Sequence, residues 1–159
     1  LLAVTPRELA ARPDMITEVF GPVALVCEYA DLADLHAVLT LLPGSLAAAV
    51  HAGPGEEDLL RDLVSRLSRT AGRVVVNGYP TGVVVGWAQH HGGPWPATTA
   101  PQVTSVGAHA LNRFTRPIAF QNVPDHALPP PLRDDNPWRI PRRVDGQWVP
   151  VTRVTEADQ

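Results

Sequence analysis

The chain has 159 residues, 45% hydrophobic and 18% charged, with 13 Lys+Arg against 16 Asp+Glu for a formal net charge of −3. This is the composition of a folded globular chain rather than a disordered one, and it lacks the basic footprint of a nucleic-acid binder. No apolar run approaches the ~20 residues needed to cross a bilayer. The lone Cys27 excludes an internal disulfide framework and suits a reducing, cytoplasmic compartment.

In chain order, Leu1–Val4 reads as a short buried strand that opens the sequence without Met, as if cut into something longer. Pro6–Pro13 has room for one or two helical turns. Val23–Tyr29, apolar on both faces, is a buried strand. Asp31 is placed to cap a helix carrying Leu32, Leu35, Val38, Leu39 and Leu42, which Pro43-Gly44 ends. Ser45–His51 is a weak, alanine-rich strand. Glu56–Arg69 is a helix with acidic residues in its first turn, one apolar stripe, and Gly72 just beyond as its C-terminal stop. "RVVVN", Arg73–Asn77, completes an alternation of strands and helices that predicts a parallel α/β fold.

After Asn77 the pattern changes. "GYPTGVVVGWAQHHGGPWPATTAPQ" is rich in Gly, Pro and aromatics, with only Val83–Val85 strand-like. A loop this long is usually functional or a linker. Thr104 or Ser105 can cap a helix carrying Val106, Ala110, Leu111 and Phe114, which Pro117 ends. "PIAFQNV" follows as a strand, and from Pro124 the Pro- and Arg-rich tail reads as an extended arm.

Candidate chemistry starts at "TEVFGP", residues 17–22. If this segment is extended, alternation places Glu18 and Phe20 on one side of it, a carboxylate and a ring suited to a ligand with hydroxyls and a flat face. An ordinary strand edge would read the same way. Cys27, within a buried strand, reads as a small hydrophobe. The pair His90-His91 has no accompanying ligand cluster, so no metal site is expected. Gly92-Gly93-Pro94 lacks the strand, helix and lysine of a phosphate-binding loop. Arg113 and Arg116 read as surface residues.

Taken together, "EVFGP", "GRVVVNGYPTG", "HHGGPWPATT", "TSVGAHALNRFTRPIAFQNVP" and "NPWRIPRRVDGQW" resemble the aldehyde dehydrogenase superfamily. The similarity is strongest to the branch that oxidises 2-oxoglutarate semialdehyde (2,5-dioxopentanoate) to 2-oxoglutarate. The resemblance implies the C-terminal part of a three-layer, parallel-sheet catalytic domain over residues 1–115. An oligomerisation strand over 116–123 and an extended C-terminal tail over 124–159 would follow. It further implies NAD or NADP as cofactor, with Glu18 holding the nicotinamide ribose hydroxyls and Phe20 packing beside the nicotinamide. Tyr79, Thr81, Trp87 and His91 would line the aldehyde site, and a homo-oligomer would form through the C-terminal strand, with no nucleic-acid or membrane partner.

The family's cysteine nucleophile lies upstream of E-x-F-G-P, as do its general base and glycine-rich cofactor loop. Cys27 lies downstream, in "ALVCEY", so no catalytic residue is expected here and the segment alone is expected to be inactive. A truncated, non-catalytic domain acting in binding or assembly is the competing reading.

Overall fold

The computed structural model describes residues 1–150. The chain divides into two compact units, Leu1–Arg116 and Pro117–Gln159.

The first unit is built from two successive parallel strand pairs. β1 (Leu2–Val4) pairs with β2 (Leu25–Cys27), Leu2 opposite Leu25. Between them lie α1 (Pro6–Ala11) and a 3-10 turn over Pro13–Ile16. Local chemistry fixes the start of α1. The Thr5 hydroxyl accepts from the Glu8 backbone N–H at 3.3 Å, and the Glu8 carboxylate accepts from the Thr5 backbone N–H at 2.8 Å. Pro6 sits in the first turn, where its missing N–H costs nothing.

α2 (Leu32–Leu41) is capped as expected, with Asp34 N–H donating to Asp31 Oδ1 at 2.9 Å. β3 (Ala48–Val50) and β4 (Val74–Val76) then pair in parallel around α3 (Glu57–Leu67), Ala48 opposite Val74. A further parallel bridge joins Ser45 to Ala71. All four strands are shorter than the sequence pattern implies, because each has a single partner to define it. α2 and α3 meet at Asp62. Within α3 Arg66 Nε donates to Asp62 Oδ2 at 2.7 Å, and His36 Nε2 of α2 lies 2.8 Å from the same oxygen.

Several expectations change at this level. α3 ends at Leu67 with Ser68 still right-handed, so Gly72 is not its stop. Gly72 is instead demanded by packing: a Cβ there would collide with the Gly92 backbone. No helix starts at Thr104 or Ser105. A 3-10 segment runs from Ala108 to Phe114 behind Gly107, whose φ of 98° only glycine adopts easily. Neither Val83–Val85 nor residues 117–123 form a strand, because among the described residues no neighbouring strand lies in place to pair with them.

The core is small. Among the described residues Leu9, Val50, Leu67 and Ala71 are the buried apolar ones, Leu9 being 2% exposed. Many large apolar side chains are uncovered, Leu1, Tyr79, Trp87 and Trp95 among them, and the two parallel pairs are not hydrogen-bonded to each other. No helix among the described residues is long and apolar enough to cross a membrane.

In the second unit, the expected extended tail contains a hairpin. β5 (Arg142–Val144) pairs antiparallel with β6 (Gln147–Val149) around Asp145-Gly146, both at positive φ. Asp-Gly is the preferred pair for such a turn. Proline leaves many carbonyls here without backbone donors, and arginines supply them: Arg133 Nε donates to Leu128 O at 3.0 Å and Arg142 to Asp134 O at 2.8 Å. The last part of the expected tail, 151–159, lies outside the described residues.

Candidate functional site

Residues 17–22 follow the 3-10 turn Pro13–Ile16 and form no strand. The backbone bends over Phe20–Pro22, and Val23 N–H donates to Gly21 O at 2.8 Å, closing a three-residue turn around Pro22. Strand alternation therefore does not govern where Glu18 and Phe20 point. Gly-Pro turns the chain too early for it.

Glu18 is exposed, and its carboxylate has no hydrogen-bond partner among the described residues. It lines a cleft of about 820 Å³ together with Thr17, Ser45, Leu46, Pro96 and Ala97. The "TEVFGP" and "HHGGPWPATT" segments, about 75 residues apart in sequence, thus meet across the start of β3. Glu18 also borders a second cleft of about 640 Å³, walled by Leu9, Val19, Cys27 and Leu42. Phe20 lines neither cleft, and its ring is 95% exposed.

The approach of 90–99 to β3 rests on glycines. Cβ atoms at Gly44, Gly72 and Gly93 would collide with the backbones of Trp95, Gly92 and Ser45 respectively. The double glycine of "HHGGPW" is thereby explained by close packing of main chains. Thr104, 3% exposed, ties the loop: its hydroxyl accepts from His91 N–H at 2.7 Å and donates to Val106 O at 2.6 Å. His91 O in turn accepts from Ser105 N–H at 3.0 Å, while its Nδ1 is buried without a partner.

The other aldehyde-site candidates lie elsewhere in the unit. Tyr79, 80% exposed, sits beside the His51 ring with centroids 5.5 Å apart. Thr81 is exposed, and Trp87 meets His109 edge-on at 5.9 Å. None of Tyr79, Thr81, Trp87 and His91 lines the two clefts that Glu18 borders. The 77–82 loop leaves the carboxyl end of β4, whereas Glu18 faces the amino end of β3.

Asn77 sets the start of that loop. At φ 52° it reverses the chain, its Oδ1 accepts from Ala52 N–H at 2.8 Å, and its Nδ2 donates to Ala52 O at 3.1 Å. Asn is one of the few residues that tolerate this backbone region. Burial pushes the Cys27 thiol above its ordinary range, with the Asp34 and Glu8 carboxylates adding to the effect. Less thiolate means a poorer nucleophile, which is consistent with a packing role. Among the described residues no group of three His, Cys, Asp or Glu side chains comes together as a metal site.

Sequence reasoning missed Asn77 as a bracket, Thr104 as a knot and the packing role of Gly44, Gly72 and Gly93. An Asn at the end of a β-branched run was a legible signal for a left-handed turn. The glycine contacts join positions tens of residues apart, so local pattern carried no trace of them.

Parallel β-α-β passages with long loops at the strand ends define an α/β chain. Comparison with known proteins names the family. The chain is 46% identical over 147 residues to alpha-ketoglutaric semialdehyde dehydrogenase 2 of Azospirillum brasilense, covering 92% of this chain and 28% of that protein. It is 44% identical over 138 residues to alpha-ketoglutaric semialdehyde dehydrogenase of Acinetobacter baylyi, covering 87% and 26%. A shorter match, 43% over 70 residues, is to 3,4-dehydroadipyl-CoA semialdehyde dehydrogenase of Aromatoleum evansii, covering 44% and 13%. No protein-family model matches. The chain is homologous to part of the alpha-ketoglutaric semialdehyde dehydrogenases. It spans 28% and 26% of the two relatives it matches along most of its own length.

Proposed function

We propose that these residues serve an NAD(P)-dependent enzyme that oxidises 2-oxoglutarate semialdehyde to 2-oxoglutarate. The observation that carries the reading is 46% and 44% identity, across 92% and 87% of the chain, to two proteins named for that aldehyde. The nucleophile and general base come from outside these residues, in keeping with the inert environment of Cys27.

The residues present fit the cofactor. Glu18 offers a carboxylate with no internal partner at the mouth of a cleft, free to accept two ribose hydroxyls. Phe20 offers an open ring face for the nicotinamide. When bound, NAD(P) supplies the hydride acceptor. Tyr79, Thr81, Trp87 and His91 form the wall of the aldehyde entrance, on a loop braced at Asn77 and tied at Thr104.

In this reading the pairs β1–β2 and β3–β4 belong to one parallel sheet in a three-layer domain, which would cover the apolar surface left open here. Residues 116–123 supply a strand to a second copy of the protein. The exposed Ile118 and Phe120 and the absence of any strand partner for them within the described residues support that assignment.

Glu18→Gln in the natural polypeptide that carries these residues tests the cofactor role. Loss of the charge from two hydroxyl hydrogen bonds should raise the cofactor KM about ten-fold, leaving the aldehyde KM unchanged. An unchanged cofactor KM and turnover would refute the assignment.

A further inference from the structure

We propose that Arg73 is a positioning residue that holds the 77–82 loop in shape from beneath. The proposal rests on the reading of that loop as part of the aldehyde wall and adds to it a residue in no predicted site.

Arg73 immediately precedes β4, and its own carbonyl accepts from Ala48 N–H at 2.9 Å, so its backbone is locked between β3 and β4. After the reversal at Asn77 the chain doubles back alongside β4. There the guanidinium of Arg73 catches it twice: Nη1 donates to Gly82 O at 2.7 Å and Nη2 to Pro80 O at 2.6 Å. The two acceptors flank Thr81, and Tyr79 stands one residue before the first.

The other arginines whose side chains hydrogen-bond in this unit are spent on carboxylates: Arg12 on Asp14, Arg61 on Asp58, Arg66 on Asp62. Among the described residues Arg73 has no carboxylate, and its Nε is buried without a partner. Its full charge is directed at two loop carbonyls, and such charge-assisted bonds are the stronger kind. Only a planar fork reaches two carbonyls two residues apart with fixed geometry; a lysine ammonium offers one mobile point. With Asn77 bonded to Ala52 at one end and Tyr79 against His51, the loop is held at three places. Small displacements of a loop that orients substrate are costly to binding and rate.

Arg73→Met and Arg73→Lys, made in the natural polypeptide, test this by backbone NMR order parameters and steady-state kinetics. Order parameters at Gly78, Tyr79, Thr81 and Gly82 should fall from about 0.85 to below about 0.6 in Arg73→Met, with β4 unchanged. Lysine should restore less than half of the lost order. The semialdehyde KM should rise about ten-fold with kcat within about two-fold and the cofactor KM unmoved. Unchanged loop order overturns the proposal, as does a loss shared equally by β4 and α3, which would mark a general packing role. A looser loop with an unchanged aldehyde KM would establish the hold of Arg73 on the loop and overturn the reading of that loop as the aldehyde wall.

Discussion

Replacing Asn77 by alanine removes two things at once. Its Oδ1 and Nδ2 bonds to the Ala52 backbone are lost, at 2.8 and 3.1 Å, each net about 0.5–1 kcal/mol at an exposed position. Alanine must also hold φ near 52°, where a Cβ without local hydrogen bonds costs about 1 kcal/mol. The sum is about 2–3 kcal/mol, equivalent to a roughly 30- to 150-fold rise in local opening. Asn77→Gly keeps the tolerance for this backbone region and loses only the two side-chain bonds, so about 1–2 kcal/mol, or a roughly five- to thirty-fold rise, is expected. The residue-77 amide, which donates to Val50 O at 2.8 Å, reports the change by hydrogen exchange. Equal effects of the two substitutions, or an alanine effect below three-fold, would refute the assignment of both side-chain bonds and backbone tolerance to Asn77.

Gly72→Ala should destabilise the protein by about 2 kcal/mol or more, because its Cβ would strike the Gly92 backbone rather than a flexible side chain. Gly53→Ala, whose Cβ meets only ordinary contact distance, should stay within about 0.5 kcal/mol in the same urea titration. Equal midpoints for the two would refute the close-approach argument. The α2–α3 contact at Asp62 predicts acid sensitivity. Arg66, and to a smaller degree His36, hold the Asp62 carboxyl below its ordinary value of 3.8. A carboxyl lowered on folding stabilises the native state above its unfolded pKa and loses that contribution as pH falls through the lower, folded value. Amides of α2 and α3 should thus lose protection below about pH 4, and Asp62→Asn should abolish that step. A step that persists in Asp62→Asn would place its origin elsewhere.

Much of the local structure was legible because it is written in short-range chemistry. Asp31 capping α2, the acidic start of α3 and the breaks at Pro13 and Pro43 each depend on neighbours within a turn. The parallel strand pairs followed from the alternation of strands and helices. The family resemblance rested on quoted motifs, and the identity to alpha-ketoglutaric semialdehyde dehydrogenases agrees with it. The failures also have local causes. Valine-rich "VVV" at 83–85 promises a strand, but a strand requires a partner, and the described residues contain none for it. Asp145-Gly146 was a readable hairpin signal hidden by the prolines around it.

The amino-acid sequence alone determined the helix caps, the chain breaks, the α/β class and the family. Each of these is set by interactions a few residues long or by motif identity. Only the tertiary structure decided that Glu18 shares a cleft with Pro96 and Ala97, that Gly72 is a contact rather than a helix stop, and that Arg73 grips the loop beyond β4. Those relations depend on which backbone surfaces come within a few ångströms after folding. Side-chain pattern along the chain does not encode that distance.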